Sequence, residues 1–169
     1  MLRTAFRNTV QLWSGTRIYN EEVYGYLPFD TAGSSDYDHL RPLAYPQTDV
    51  FLVCFSVDSV SSYDNVRLKW FPELRYYGPH VPIVLSAMKI DLRGDERVDG
   101  ALARSHERPI SREQGQRLSE ELGAAEYGEC SSLTQEGLLE LWDKVIFRAA
   151  LQGLAQQSLQ PQTRRCLIL

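Results

Sequence analysis

From about residue 50 onward the apolar positions fall into two alternating spacings. Val50 to Phe55 and Ile83 to Ala87 are short continuous apolar runs, the first bounded by Thr48-Asp49 and Ser56, the second preceded by Pro79 and Pro82. Runs of this kind predict fully buried central strands. Between them Val66, Trp70 and Leu74 recur at helical spacing, with Pro72 expected to bend the last turn. Ser111-Arg112-Glu113-Gln114 reads as a capping box opening a helix that carries Leu118 and Leu122, and Gly123 stands where a C-terminal cap belongs. A third helix is predicted from the wide stripe Leu138, Leu141, Trp142, Val145, Ile146 and Ala149, which reads as core. Strand and helix patterns in alternation predict an α/β fold, a parallel sheet with flanking helices. Residues 93–108 are polar and charged, as in an exposed insertion with a short helix. From Gln152 the composition turns to Gln, Ser and Pro, so residues 152–169 read as a flexible tail.

Composition narrows the function classes. A chain of 169 residues with 43% apolar content can bury one compact core. Its net charge of −4 and pI near 5.4 leave no basic stripe for neutralising phosphates, which argues against nucleic acid as a partner. Cys54, Cys130 and Cys166 form an odd, scattered set that suggests a reducing compartment, and a cytoplasmic location is expected. No apolar leader follows Met1-Leu2-Arg3, and no run approaches the roughly 20 residues needed to cross a bilayer. His39, His80 and His106 are far apart, show no metal spacing, and are expected at the surface.

The chemistry becomes specific at Asp30-Thr31-Ala32-Gly33, directly after a strand-like run. An acid at a strand end can hold magnesium through water, and Gly33, lacking a Cβ, lets its backbone N–H approach a terminal phosphate. The following Asp36-Tyr37-Asp38-His39-Leu40-Arg41-Pro42-Leu43-Ala44-Tyr45-Pro46-Gln47-Thr48-Asp49-Val50-Phe51-Leu52 resembles the second switch region of Rho-family small GTPases. The resemblance extends over nearly the whole chain, through Trp70 to Glu73 and Asp91-Leu92-Arg93 before a charged insertion of the Rho kind. It implies a Ras-like P-loop GTPase fold, incomplete at its N-terminus, over residues 1–151, with an antiparallel hairpin beside the parallel sheet and the insertion at about 93–108. It implies GTP or GDP and magnesium as cofactors, and regulators and effectors as partners. Lys89 and Asp91 match the family's [NT]-K-x-D motif, in which the lysine packs on guanine and the acid reads its donor edge. Cys130-Ser131-Ser132-Leu133-Thr134-Gln135 resembles the base-closing loop, placing Ser131 and Ser132 at the nucleotide. Thr4-Ala5-Phe6-Arg7-Asn8 resembles the end of the first switch, which would make Thr4 the threonine at magnesium and the γ-phosphate, with Asp30. Tyr37, Leu40 and Leu43 would serve partner binding. Thr9 to Trp13 and a run ending at Phe29 would be hairpin strands joined by a turn around Ser14-Gly15.

The departures from the family pattern matter as much. No G-x-x-x-x-G-K-[ST] phosphate loop occurs in the 169 residues, and Lys69, Lys89 and Lys144 do not replace it. An alternative start, alternative splicing or an imperfect gene model is the expected origin. With charge-assisted hydrogen bonds worth roughly 1.5 to 3 kcal/mol each, tight GTP binding is not expected. Ser34 stands at the position of the catalytic glutamine, so no catalytic residue is assigned and hydrolysis is expected to be poor. Met88 replaces the Asn or Thr of the base motif, and Arg7 reverses an acidic position. Without the family's first strand, the hairpin either closes up against Val50–Phe55 or detaches, and Pro28 fits a changed edge. Cys166-Leu167-Ile168-Leu169 fits a C-terminal prenylation signal, the leucine favouring geranylgeranyl, with only Arg164 and Arg165 before it. Reversible anchoring on the cytoplasmic face of the plasma membrane or endomembranes is expected. Two functions stand: a Rho-type switch in GTP-dependent signalling, and a prenylated, nucleotide-independent protein that occupies Rho regulators or effectors.

Overall fold

A computed structural model describes residues 11–12, 15–19 and 21–158. Their contacts divide into two compact units, one ending at Thr48 and one beginning at Asp49. Thr4, Thr9, Trp13, Ser14 and Cys166 lie outside the described residues.

In the first unit, β1 (Gln11–Leu12) pairs antiparallel with β4 (Phe29–Asp30), and β2 (Gly15–Tyr19) pairs antiparallel with β3 (Glu22–Tyr26). Leu12 faces Phe29 and Gly15 faces Tyr26, so the two ladders keep a common register. The expected hairpin is present, but its reversal is displaced. Gly15 is a strand residue, and the turn falls between Tyr19 and Glu22, which face each other, with Glu21 at φ 67. Positive φ at such a short reversal matches the twist of the flanking strands. The pairing lapses at Leu27-Pro28, where proline has no N–H to donate.

In the second unit, β5 (Phe51–Ser56), β6 (Ile83–Met88) and β7 (Glu126–Cys130) form a parallel sheet in that order. β6 is the predicted buried centre: Ile83, Val84, Leu85 and Ala87 are fully buried. β5 corrects the prediction. It is an outer strand of the three, and its residues alternate: Phe51, Val53 and Phe55 are buried, while Leu52 is 41% exposed and Cys54 is exposed. An apolar run reports composition, whereas burial on both faces needs covering elements on both.

The first crossover combines α1 (Val60–Asn65), a π-helical turn (Val66–Trp70) and α2 (Phe71–Tyr77). Val66, Phe71 and Leu74 are buried. The irregularity precedes Pro72 instead of bending the last turn. Proline at the start of α2 cannot donate back into the preceding turn, which widens so that the Phe71 N–H reaches the Val66 carbonyl. Within 93–108 lies the short helix α3 (Glu96–Ala103), capped by the Asp95 carboxylate on the Arg97 and Val98 N–H groups. The helix α4 (Arg112–Leu122) carries the predicted box: Gln114 N–H donates to Ser111 Oγ at 3.3 Å and Ser111 N–H to Gln114 Oε1 at 2.9 Å. Gly123 closes α4 at φ 65.

After β7 the chain runs through α5 (Leu138–Glu140), a π-helical turn (Leu141–Ile146) and α6 (Phe147–Ser158). Leu141, Val145, Ile146 and Ala149 pack on Val84 and Cys130, as the stripe predicted. α6 continues past Gln152, where a flexible tail was expected. Its Gln, Ala and Leu residues are good helix formers, and buried Gly153 packs so closely on Pro82 that a Cβ would touch the ring.

Candidate functional site

The second unit gathers chemistry where β6 and β7 end. Met88 and Cys130 are the last paired residues of the two strands, and beyond them side chains replace the ladder. Lys89 follows β6 in the left-handed conformation, φ 59 and ψ 41, and starts the tight turn Ile90–Leu92. Such a conformation costs a non-glycine residue energy, and its presence at a strand end is a recurrent mark of functional sites. The Lys89 ammonium is exposed and lies 3.5 Å from Asp58 Oδ1, and that carboxylate also accepts from Ser56 Oγ. Asp58 was not singled out in the sequence.

Asp91 sits in the same turn and accepts a hydrogen bond from Ser131 Oγ. Ser131 is fully buried; its oxygen also accepts from the N–H groups of Leu133 at 3.2 Å and Thr134 at 3.1 Å, while its own N–H donates to the Glu136 carbonyl. One buried hydroxyl thus holds a carboxylate and folds the loop 131–136 around itself. Ser132 is exposed at the rim of that loop. The structure therefore brings together Asp91, Ser131 and Ser132 as expected, with Lys89 two residues before Asp91. A carboxylate so held can accept from the N–H donors of a planar ligand.

A second cluster, unsignalled in sequence because its members lie 36 residues apart, stands behind this corner. Arg93 donates through Nη1 and Nη2 to the two Glu129 oxygens, each at 2.8 Å, and through Nε to the Ile110 carbonyl at 2.9 Å. Tyr127 O–H donates to Glu129 Oε1 at 2.6 Å. Burial pushes the Tyr127 hydroxyl up, reinforced by the adjacent carboxylate. Burial also pushes the Glu129 carboxyl up, but the bonds from Arg93 and Tyr127 outweigh it and hold the carboxyl below the usual glutamate range. The folded chain then binds this proton less readily than the unfolded one, so the stability it brings is complete above the ordinary glutamate range and is lost as pH falls through the lower folded value. Urea unfolding of Glu129→Gln at a series of pH values is expected to show a weaker chain at neutral pH and a flatter decline between about pH 5 and 3 than wild type. Equal slopes would refute the pair's electrostatic role.

In the first unit, Asp30 ends β4 and is exposed, and Gly33 is exposed in the loop that follows. Ser34 caps the turn Ser35–Tyr37, accepting from the Asp36 N–H at 3.4 Å. Arg41, unforeseen from the sequence, is 5% exposed and donates to the carbonyl of Ala32 at 2.8 Å while pairing with Asp38. It staples the Gly33 loop to the turn Arg41–Ala44. Leu40 and Leu43 are 48% and 74% exposed, and Tyr37 is half-buried. His39, His80 and His106 are exposed, as expected. Among the described residues no three His, Cys, Asp or Glu side chains are grouped as a metal would need; a single acid such as Asp30 reaching magnesium through water requires no such group.

The model of the Ras family matches residues 8–151, a span that takes in the hairpin, the parallel sheet and the whole corner around Asp91 and Ser131. The parallel three-stranded sheet, flanking helices and antiparallel hairpin are consistent with an α/β Ras-like fold. The chain belongs to the Ras family.

Proposed function

We propose that this chain is a Rho-type small GTPase-like protein of GTP-dependent signal transduction, in cytoskeletal and membrane signalling, that recognises guanine through Asp91 and binds and hydrolyses GTP weakly. The observation that carries the reading is the Asp91 carboxylate, held by the buried Ser131 hydroxyl at the end of β7. Ras-family proteins bind GTP or GDP with magnesium and meet regulators and effectors. In this chain Lys89 would pack along the base, Ser131 and Ser132 would close over it, and Gly33 would offer its N–H to the terminal phosphate. Thr4 and Asp30 would hold magnesium, which would supply charge neutralisation between the phosphates. Ser34 carries no amide to orient an attacking water, so it supports slow turnover. Cys166 would carry the prenyl group that places the protein reversibly on cytoplasmic membrane faces. The Rho assignment rests on the segment Asp36 to Leu52 and on the charged insertion.

Arg41 favours a second reading. Its guanidinium already satisfies the Ala32 carbonyl beside Gly33, so the segment bearing Tyr37, Leu40 and Leu43 is held by the protein's own donors without a γ-phosphate. A prenylated protein presenting this segment to Rho regulators or effectors regardless of nucleotide follows from that clamp.

Equilibrium binding of a fluorescent guanine nucleotide with and without magnesium, alongside far-ultraviolet circular dichroism, separates the two. Saturable guanine-selective binding in the micromolar range is expected, weakened about tenfold or more in Asp91→Ala, because a site built to accept N–H donors discriminates strongly once the acceptor is gone. A folded wild-type chain without saturable binding would leave the nucleotide-independent reading.

A further inference from the structure

We infer that Arg93 and Glu129 form a positioning pair that sets the base-reading carboxylate of Asp91; the inference rests on the guanine reading above. Asp91 and Arg93 are two residues apart after β6, and Ser131 and Glu129 are two residues apart at the end of β7. Two side-chain ties therefore join the same two strand ends in parallel, Asp91 with Ser131 and Arg93 with Glu129. The first stands just beyond Met88 and Cys130, where backbone pairing stops, and the second grips β7 at Glu129, the paired residue before Cys130. A single hydrogen bond between two turns leaves them free to pivot, whereas a planar bidentate ion pair beside it removes that freedom. Arg93 is anchored further by the Ile110 carbonyl, and the Ile110 N–H is bound to the Val57 carbonyl at 2.8 Å. The fork is thus referenced to the end of β5 as well as to β7. Glu129 is 7% exposed at its side chain and takes a further bond from Tyr127, so two partners fix its position.

Loss of the fork is expected to loosen the loop held by Ser131 before it loosens the sheet. Amide hydrogen exchange resolved by NMR reads this directly, since the Leu133 and Thr134 N–H groups donate to Ser131 Oγ. Arg93→Met is expected to speed exchange at these two amides about tenfold relative to wild type, with the β6 amides unchanged. Arg93→Lys, which keeps the charge without the fork, is expected to recover part of the protection. In parallel, the ratio of guanosine to inosine diphosphate affinity, which reports the exocyclic amine that Asp91 would accept from, is expected to fall several-fold in Arg93→Met. Should Arg93→Met fail to fold, Glu129→Gln keeps the side-chain volume and is expected to show the same order of effects. Unchanged exchange at Leu133 and Thr134, or equal acceleration throughout β6, overturns the positioning role. A wild-type chain that binds neither nucleotide overturns the guanine reading instead, while the exchange measurement still decides whether the pair sets the Asp91 loop.

Discussion

Phe55→Ala is expected to destabilise the chain by about 4 kcal/mol, lowering the thermal midpoint by roughly 8 to 16 °C. Phe55 is 2% exposed on the inner face of β5, and its ring meets Tyr63 of α1 edge-on at 5.3 Å. Truncation removes that aromatic contact and leaves a cavity between the strand and the helix, two penalties that add. The alternation along β5 sharpens the test: Leu52→Ala, on the open side of the same strand, is expected to cost under about 1 kcal/mol. Chemical denaturation of both variants checks the pair, and comparable losses would show that β5 is buried on both faces after all.

Gly137→Ala is the second large effect, about 3 kcal/mol, and it falls on the corner around Asp91 and Ser131. Gly137 has φ 69, and a Cβ there would be driven into the backbone carbonyl of Glu129, with the Cys130 Cα behind it. Neither neighbour can rotate away. Relief requires the loop 131–136 to shift, and with it the Glu136 carbonyl that receives the Ser131 N–H. Gly94 provides the control: its φ is 82, but open space surrounds it, so Gly94→Ala is expected to cost only the left-handed penalty of about 1 kcal/mol. Urea unfolding should rank the two in that order, and any guanine affinity should fall with Gly137→Ala alone. Equal costs would mean that the backbone conformation, and not the approach to Glu129, decides.

The elements with strong local signals were legible in the chain itself. Ser111 and Gln114 can cap each other wherever the helix lies, and Gly123 adopts a left-handed cap at little cost, so α4 was readable at both ends. The stripe from Leu138 to Ala149 buried the side it had to bury. Local chemistry also misled: Ser14-Gly15 resembles a turn, yet cross-strand pairing carried Gly15 into β2 and moved the reversal to Glu21. Pro72 announced a disturbance without saying on which side of it the helix would give way.

Asp91, Ser131 and Ser132 were nameable from sequence because each lies in a short segment, Met88 to Asp91 or Cys130 to Gln135, that resembles a family motif. Arg41, Asp58, Arg93 and Glu129 were not, because each acquires its meaning from a partner that only folding supplies. What the sequence by itself determined is the α/β class, the caps of α4 and the core stripe of the helical segment after β7, all properties of near neighbours in the chain. Only the tertiary structure decided that β5 is open on one face, that one buried hydroxyl holds Asp91, and that Arg93 forks onto Glu129. The physical reason is that burial and ion pairing depend on distances between segments 36 or more residues apart, which no periodicity within either segment encodes.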